Sequence, residues 1–125
     1  MPSATYQLII QAMIARRQIL CMYRGFARAL CPIILGHTVG RERVLAFQFA
    51  GGASRGLPPG GQWKCFDVAD MSEVELREGR WHSGSSHRQP QHCVAEVEVD
   101  VNPDSPYGPK RSIATPRSRK PGRKR

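Results

Sequence analysis

The stretch ILCMYRGFARALCPIILGHTVGRERVLAFQFA, residues 19–50, decides the fold class. It is rich in β-branched, aromatic and other apolar residues, and glycine breaks it twice, at Arg24-Gly25 and within Gly36–Gly40. Such a pattern predicts three short strands, Ile19–Tyr23, Ala27–Leu35 and Arg43–Ala50, joined by tight turns. Pro32 has no backbone N–H to give to a neighbour, so the second strand needs an edge position or a bulge there.

Toward the N-terminus, Tyr6, Ile9, Ile10, Met13, Ile14 and Arg17 recur at three- and four-residue spacing. That spacing puts them on one face of a helix over residues 4–17. Ser3 is placed to cap it, and Arg16-Arg17 fall in the last turn, where cations suit the helix dipole. Toward the C-terminus, residues 51–62 (GGASRGLPPGGQ) hold five glycines and two prolines and read as a loop. Strands are expected at Trp63–Ala69 and Glu73–Glu78, then a polar Gly/Ser/His loop over 79–92. In Cys93–Val101, apolar Cys93, Ala95, Val97, Val99 and Val101 alternate with Glu96, Glu98 and Asp100, which predicts a strand with one wet face. One helix and five or six short strands imply a mainly β (α+β) fold, a small β-barrel with the N-terminal helix packed on it.

The formal net charge of +9 is unevenly placed. Lys110, Arg111, Arg117, Arg119, Lys120, Arg123, Lys124 and Arg125 face no acid within residues 110–125, so the rest of the chain is nearly neutral. Pro, Ser and basic residues dominate after Asn102, and too few apolar side chains remain to offset the entropy of ordering. The expected organisation is a folded domain over 1–102 and a disordered tail over 103–125. The tail's cations suit nonspecific binding to nucleic acid through counterion release. No run reaches the ~18 apolar residues of a membrane span, and no basic residue precedes the apolar run at Leu8–Ile14 as in a secretory signal. Cys21, Cys31, Cys65 and Cys93 lie far apart with no CxxC, so four free thiols in a cytoplasmic protein are expected.

The middle of the chain resembles the WYL domain, a bacterial regulatory module. The residues that carry the likeness are Ile19-Leu20-Cys21-Met22-Tyr23, then Arg28, Cys31-Pro32 and Arg43-Val44-Leu45-Ala46-Phe47, and finally Lys64-Cys65-Phe66-Asp67-Val68-Ala69-Asp70-Met71. Of the triplet that names the family only Leu45 remains; Arg43 and Val44 hold the Trp and Tyr places. Lys64 stands where an Arg is usual, Asp70 replaces a basic residue, and the 51–62 loop is additional. No helix-turn-helix pattern precedes the domain. The resemblance implies an Sm-like, SH3-type barrel and a ligand surface at Tyr23, Arg28 and Lys64.

Two cations and a tyrosine together can hold a phosphate and stack a base. Arg55, at the centre of the glycine-rich loop, and His37, in the turn before the third strand, are further candidates for that surface. The loop matches no phosphate-binding signature and no helix follows it. His82, His87, His92 and Cys93 are the one metal-like grouping, but they lie in a Ser/Gly loop and Cys93 begins an inward-facing series, so no metal site is expected. No nucleophile-and-base set stands out, and Glu96, Glu98 and Asp100 read as a solvated face. The expected function is non-enzymatic: a ligand-sensing or regulatory module for a nucleotide, single-stranded nucleic acid or another anion, with no cofactor and no membrane partner. The alternative is an interaction or oligomerisation module, pairing with itself or a partner regulator, whose tail binds nucleic acid nonspecifically.

Overall fold

The computed structural model describes residues 2–82 and 91–111. In chain order the elements are α1 (Ala4–Ala15), β1 (Gln18–Tyr23), β2 (Phe26–Thr38), β3 (Arg41–Gly51), β4 (Gln62–Asp67), a single 3-10 turn (Val68–Asp70), β5 (Met71–Arg77) and β6 (Glu96–Asp100). The mainly β reading holds, and each expected strand has a counterpart. The strands form one antiparallel sheet in the order β4-β3-β2-β1-β5, with β6 also on β2.

β2 organises the sheet. β3 runs along one of its edges, from Arg28↔Gly51 to Thr38↔Arg41. The other edge is shared: β1 takes Phe26–Leu30 and β6 takes Ile34–His37. Pro32 falls in the gap between these two partners, and the β2–β3 register shifts beside it. The bulge predicted from the missing N–H is therefore present, within a central strand. The first turn is Arg24-Gly25; the second shrinks to Val39-Gly40, because β2 continues through Thr38. All four of these residues have positive φ, the conformation of two-residue hairpins that match strand twist. Gly36 lies inside β2, where an added Cβ would come within 1.9 Å of the Glu96 carbonyl oxygen; only glycine lets β6 approach.

The end strands β4 and β5 do not pair with each other, so the sheet is open rather than a closed barrel. At the seam, side-chain contacts take the place of a backbone ladder. The Asp67 N–H donates to the Tyr23 hydroxyl at 3.1 Å, and the Tyr23 ring meets Phe66 edge-on at 4.8 Å.

Helix α1 starts where expected, with the Tyr6 N–H donating to the Ser3 hydroxyl at 3.1 Å. It ends two residues early, at a left-handed Arg16 whose N–H reaches the Ala12 carbonyl. Tyr6, Ile9, Ala12 and Met13 are buried and Ile10 packs at their edge, whereas Ile14 is exposed. Burying an Ile or Met side chain contributes roughly 1.5–3 kcal/mol, which fixes the helix on the sheet. This main core includes Ile19, Leu30, Val44, Ala46 and Phe66. Leu45 alternates to the other face of β3 and joins a smaller core with Ile33, Ile34, Val94 and Val97, flanked by Trp63, Trp81 and Tyr107.

Three further expectations need correction. Cys65 and Cys93 are joined in a disulfide, with Cα atoms 5.5 Å apart; only Cys21 and Cys31 are free thiols, and both are buried. Cys65 shares the Leu45 face of the sheet, where segment 91–95 lies, so residues 28 apart in sequence meet. The inference from free thiols to the cytoplasm loses its premise. Second, the acids of β6 are not one solvated face. Asp100 is buried and accepts the Asn102 N–H, and Glu98 accepts the Tyr6 hydroxyl at 2.5 Å and pairs with Arg111 at 3.3 Å. Third, residues 103–111, expected in the tail, are placed against the domain. Tyr107 packs on the smaller core, and the Lys110 and Arg111 N–H groups donate to the Val97 and Glu98 carbonyls at 3.2 and 2.8 Å. Arg117, Arg119, Lys120, Arg123, Lys124 and Arg125 lie outside the described residues, as does His87. No helix among the described residues is long and apolar enough to cross a membrane.

The Tyr6–Glu98 bond ties α1 to β6 and is pH-sensitive. The Tyr6 hydroxyl, and after it Arg111, hold the Glu98 carboxyl below its ordinary value, while burial and Glu98 push Tyr6 up. A carboxyl depressed on folding stabilises above its unfolded pKa of about 4.3, and that stabilisation is lost as pH falls through the folded value. Tyr6→Phe is expected to cost about 1.5–3 kcal/mol at pH 7, the usual worth of a hydrogen bond to a charge, and much less at pH 3. Urea unfolding at both pH values checks this; an equal loss at both would mean that Glu98 is not the partner that matters.

Candidate functional site

Register brings the expected ligand residues together at one end of the sheet. Arg28 on β2 faces Cys21 on β1 and Gly51 on β3. Lys64 on β4 faces Ala46 on β3, two residues from Gln48 and on the same side of the strand. Lys64 is thereby carried toward Arg28, near enough for the two charges to repel.

Arg28 is only 7 % exposed. Its Nε and Nη2 donate to the Tyr23 carbonyl at 3.3 and 3.2 Å, and Nη1 donates to Gln48 Oε1 at 3.3 Å. The rings of Tyr23, Phe26 and Phe66 surround the guanidinium, with centroids 5.1, 5.6 and 5.7 Å away. Aromatic faces and carbonyls attract the cation without cancelling its charge. Among the described residues no carboxylate pairs with it. The nearby acids are engaged elsewhere: Asp67 by Arg43 at 3.0 Å, Arg41 at 3.6 Å and Arg24 at 3.8 Å, and Asp70 by Arg24 at 3.2 Å. Of the five guanidinium N–H groups, two have no partner among the described residues.

Lys64 is half-buried, and its side chain makes no hydrogen bond or ion pair among the described residues. Burial first, then the Arg28 charge, pushes its ammonium below the ordinary lysine range. Burial likewise lowers Arg28, opposed by Cys21 and Tyr23 and reinforced by Arg24. Two cations thus share a partly desolvated face with no anion among the described residues, an arrangement that is normally costly. It suits a phosphate or carboxylate, whose binding would remove both the repulsion and the unmet donors.

The remaining candidates fall differently. Tyr23, expected to stack on a base, is itself buried, its ring filled by Phe66 on one side and Arg28 on another. Phe26, at the mouth of the β1–β2 hairpin, is 37 % exposed and is the ring with open surface; the sequence reading passed over it. Gln48 was missed too, although it is the one polar residue in the apolar run Val44–Phe49. It is fully buried, and its amide Nε2 donates to the Ala50 and Gly52 carbonyls at 3.1 and 2.9 Å, which anchors the start of the glycine-rich loop beside Arg28. Arg55 is exposed in that loop. His82 stacks on Phe49 at 4.1 Å, and Cys93 is committed to its disulfide.

His37 does not join the site. It sits at the far end of β2, its ring 5.3 Å from Tyr6, in a cleft of about 530 Å³ that Ser3, Arg41, Glu42 and Asp67 also line. Charges there are matched internally: Ser3 donates to Glu42 through both its N–H and its hydroxyl, and Arg41 meets Asp67. Of these two places, the Arg28–Lys64 face is the one whose charges are unmatched among the described residues. No protein family, curated protein or solved structure matches the chain.

If Lys64 serves a ligand rather than the fold, removing its charge relieves repulsion and desolvation. Lys64→Met is expected to raise unfolding stability by about 0.5–1.5 kcal/mol, in the range of other changes that trade function for stability. Urea denaturation of the ligand-free chain tests it; a clear loss of stability would mean that the ammonium has a structural partner.

Proposed function

We propose that the chain is a non-enzymatic ligand-sensing module of the WYL kind, and that its Arg28–Lys64 face binds the anionic group of a nucleotide, single-stranded nucleic acid or similar ligand. The observation that carries this reading is the buried Arg28 guanidinium beside the Lys64 ammonium, neither of which meets a carboxylate among the described residues. Phe26 offers the stacking surface, worth about 1–3 kcal/mol per base. Gln48 holds the glycine-rich loop next to the anion, with Arg55 in that loop as an additional cation. The basic segment beginning at Lys110-Arg111 adds sequence-independent affinity for nucleic acid. Such a regulator would work in the cytoplasm, which requires the Cys65–Cys93 bond to be one that opens and closes there rather than a permanent crosslink.

A second reading has one observation in its favour. The sheet is open, and among the described residues the outer edges of β4 and β5 carry no backbone ladder, which leaves room for strand addition by a second copy or a partner regulator.

Titrating the full chain with pyrophosphate, ATP and a labelled oligothymidylate at low salt separates the two. The sensing reading expects mutual competition at one site. Lys64→Met should weaken each ligand about tenfold, the worth of one charge-assisted hydrogen bond, without loss of folding. Unchanged affinity in both Lys64→Met and Arg28→Met would overturn it, and concentration-dependent association by sedimentation would favour the second reading.

A further inference from the structure

The smaller core is covered differently from the main one. α1 packs over the main core, whereas Ile33, Ile34 and Leu45 are roofed by irregular chain: Cys93-Val94, Trp81 and Tyr107. Among the described residues, segment 91–95 has few other polar anchors. One Thr38 hydroxyl donates to the Cys93 carbonyl at 2.8 Å and accepts the Ala95 N–H at 3.0 Å, the Gln91 N–H donates to the Tyr107 hydroxyl at 3.3 Å, and Gln91 exchanges two 2.8 Å bonds with Val94 inside the segment itself. The covalent tie is the Cys65–Cys93 disulfide. Its far end is on β4, a strand that pairs with β3 alone. Cys65 is exposed and Cys93 buried, so one sulfur of the bond belongs to a residue that meets solvent.

We propose that Cys65–Cys93 is a redox-operated clasp, opened by a small dithiol, which controls whether the second apolar face of the sheet is covered. One thiolate of the dithiol attacks the Cys65 sulfur, and Cys93 leaves as a thiolate that takes a proton from water. The second thiol of the reagent then attacks its own mixed-disulfide sulfur and releases Cys65. Two electrons and two protons pass to the protein, and the dithiol ends as a disulfide. Opening removes the crosslink between an edge strand and an irregular segment while leaving β6 in its ladder on β2. It therefore loosens the roof without unfolding the sheet. Cys21 and Cys31 do not compete for the exchange, because both are buried and burial pushes the Cys21 thiol up to about 11. The clasp does not depend on the anion-binding reading.

Amide hydrogen exchange of the full chain, oxidised and after dithiothreitol, tests the proposal. Reduced protein should exchange at least about tenfold faster over 62–67 and 91–95, the scale on which losing a crosslink changes local opening, with 6–15 in α1 unchanged. Tryptophan emission should shift to the red as the surroundings of Trp63 and Trp81 wet, and reoxidation should restore both signals. Cys65→Ala should show the reduced pattern without reagent and no further response to it. If that variant does not fold, the wild-type pair decides alone. Equal exchange in both states would make the bond a passive staple and overturn the proposal. So would four titratable thiols in chain equilibrated under oxidising glutathione.

Discussion

A guanidinium taken out of water, with no carboxylate to meet it among the described residues, is the constraint around which one end of this sheet is arranged. Arg28 is held by a backbone carbonyl, one amide oxygen and three aromatic rings. None of these cancels its charge, so the field of Arg28 persists and reaches Lys64. Had Asp67 turned toward Arg28, one of the two positive charges would be met within the fold. Instead Asp67 is drawn to Arg24, Arg41 and Arg43 on the hairpins around it, and its own N–H is fixed by the Tyr23 hydroxyl. The same tyrosine lids Arg28 and bridges the open seam, so the geometry of the sheet end and the electrostatics of the site share one side chain.

The sheet's two faces are protected by unlike means. A capped helix of 12 residues covers the larger core with Tyr6, Ile9, Ala12 and Met13. Irregular chain covers the smaller one, and a covalent bond does there what periodic apolar spacing does on the other side. β2 connects the two problems. Its shared edge lets β6 add to the sheet beyond β1, and Pro32 and Gly36 mark where the strand must bend and where it must let another backbone close in. This division keeps Arg28, on β2, apart from the roofed face, whereas Lys64 is the neighbour of Cys65 on β4, so a change at the roof reaches the anion-facing end through that strand.

What could be read from the sequence followed from local signals. The helix came from spacing and Ser3, the hairpins from Arg24-Gly25 and the Gly36–Gly40 stretch, and the bulge from Pro32. Arg28 and Lys64 were placed together through the resemblance, and register accounts for their meeting. What escaped depended on contacts between distant segments. Cys65 and Cys93 carry no spacing signal. Asp100 looked like a third wet acid because alternation says nothing of the turn that folds back over it. Residues 103–111 looked too polar to order, yet a single ring, Tyr107, and two backbone hydrogen bonds to β6 place them. Tyr23 was legible as a site residue but not as a buried one, since only the sheet shows that Phe66 and Arg28 occupy its faces. Closure of the barrel failed as an expectation because strand count does not reveal whether the end strands meet.

The central claim, an anion site between Arg28 and Lys64, is tested most directly by locating an anion. Crystals soaked in selenate, with anomalous differences collected at the selenium edge, should show a peak within hydrogen-bonding reach (about 2.7–3.2 Å) of both the Arg28 guanidinium and the Lys64 ammonium. The peak should be absent in Lys64→Met crystals soaked alike. Anomalous density confined to exposed arginines such as Arg24 and Arg41, with none beside Arg28, would contradict the account.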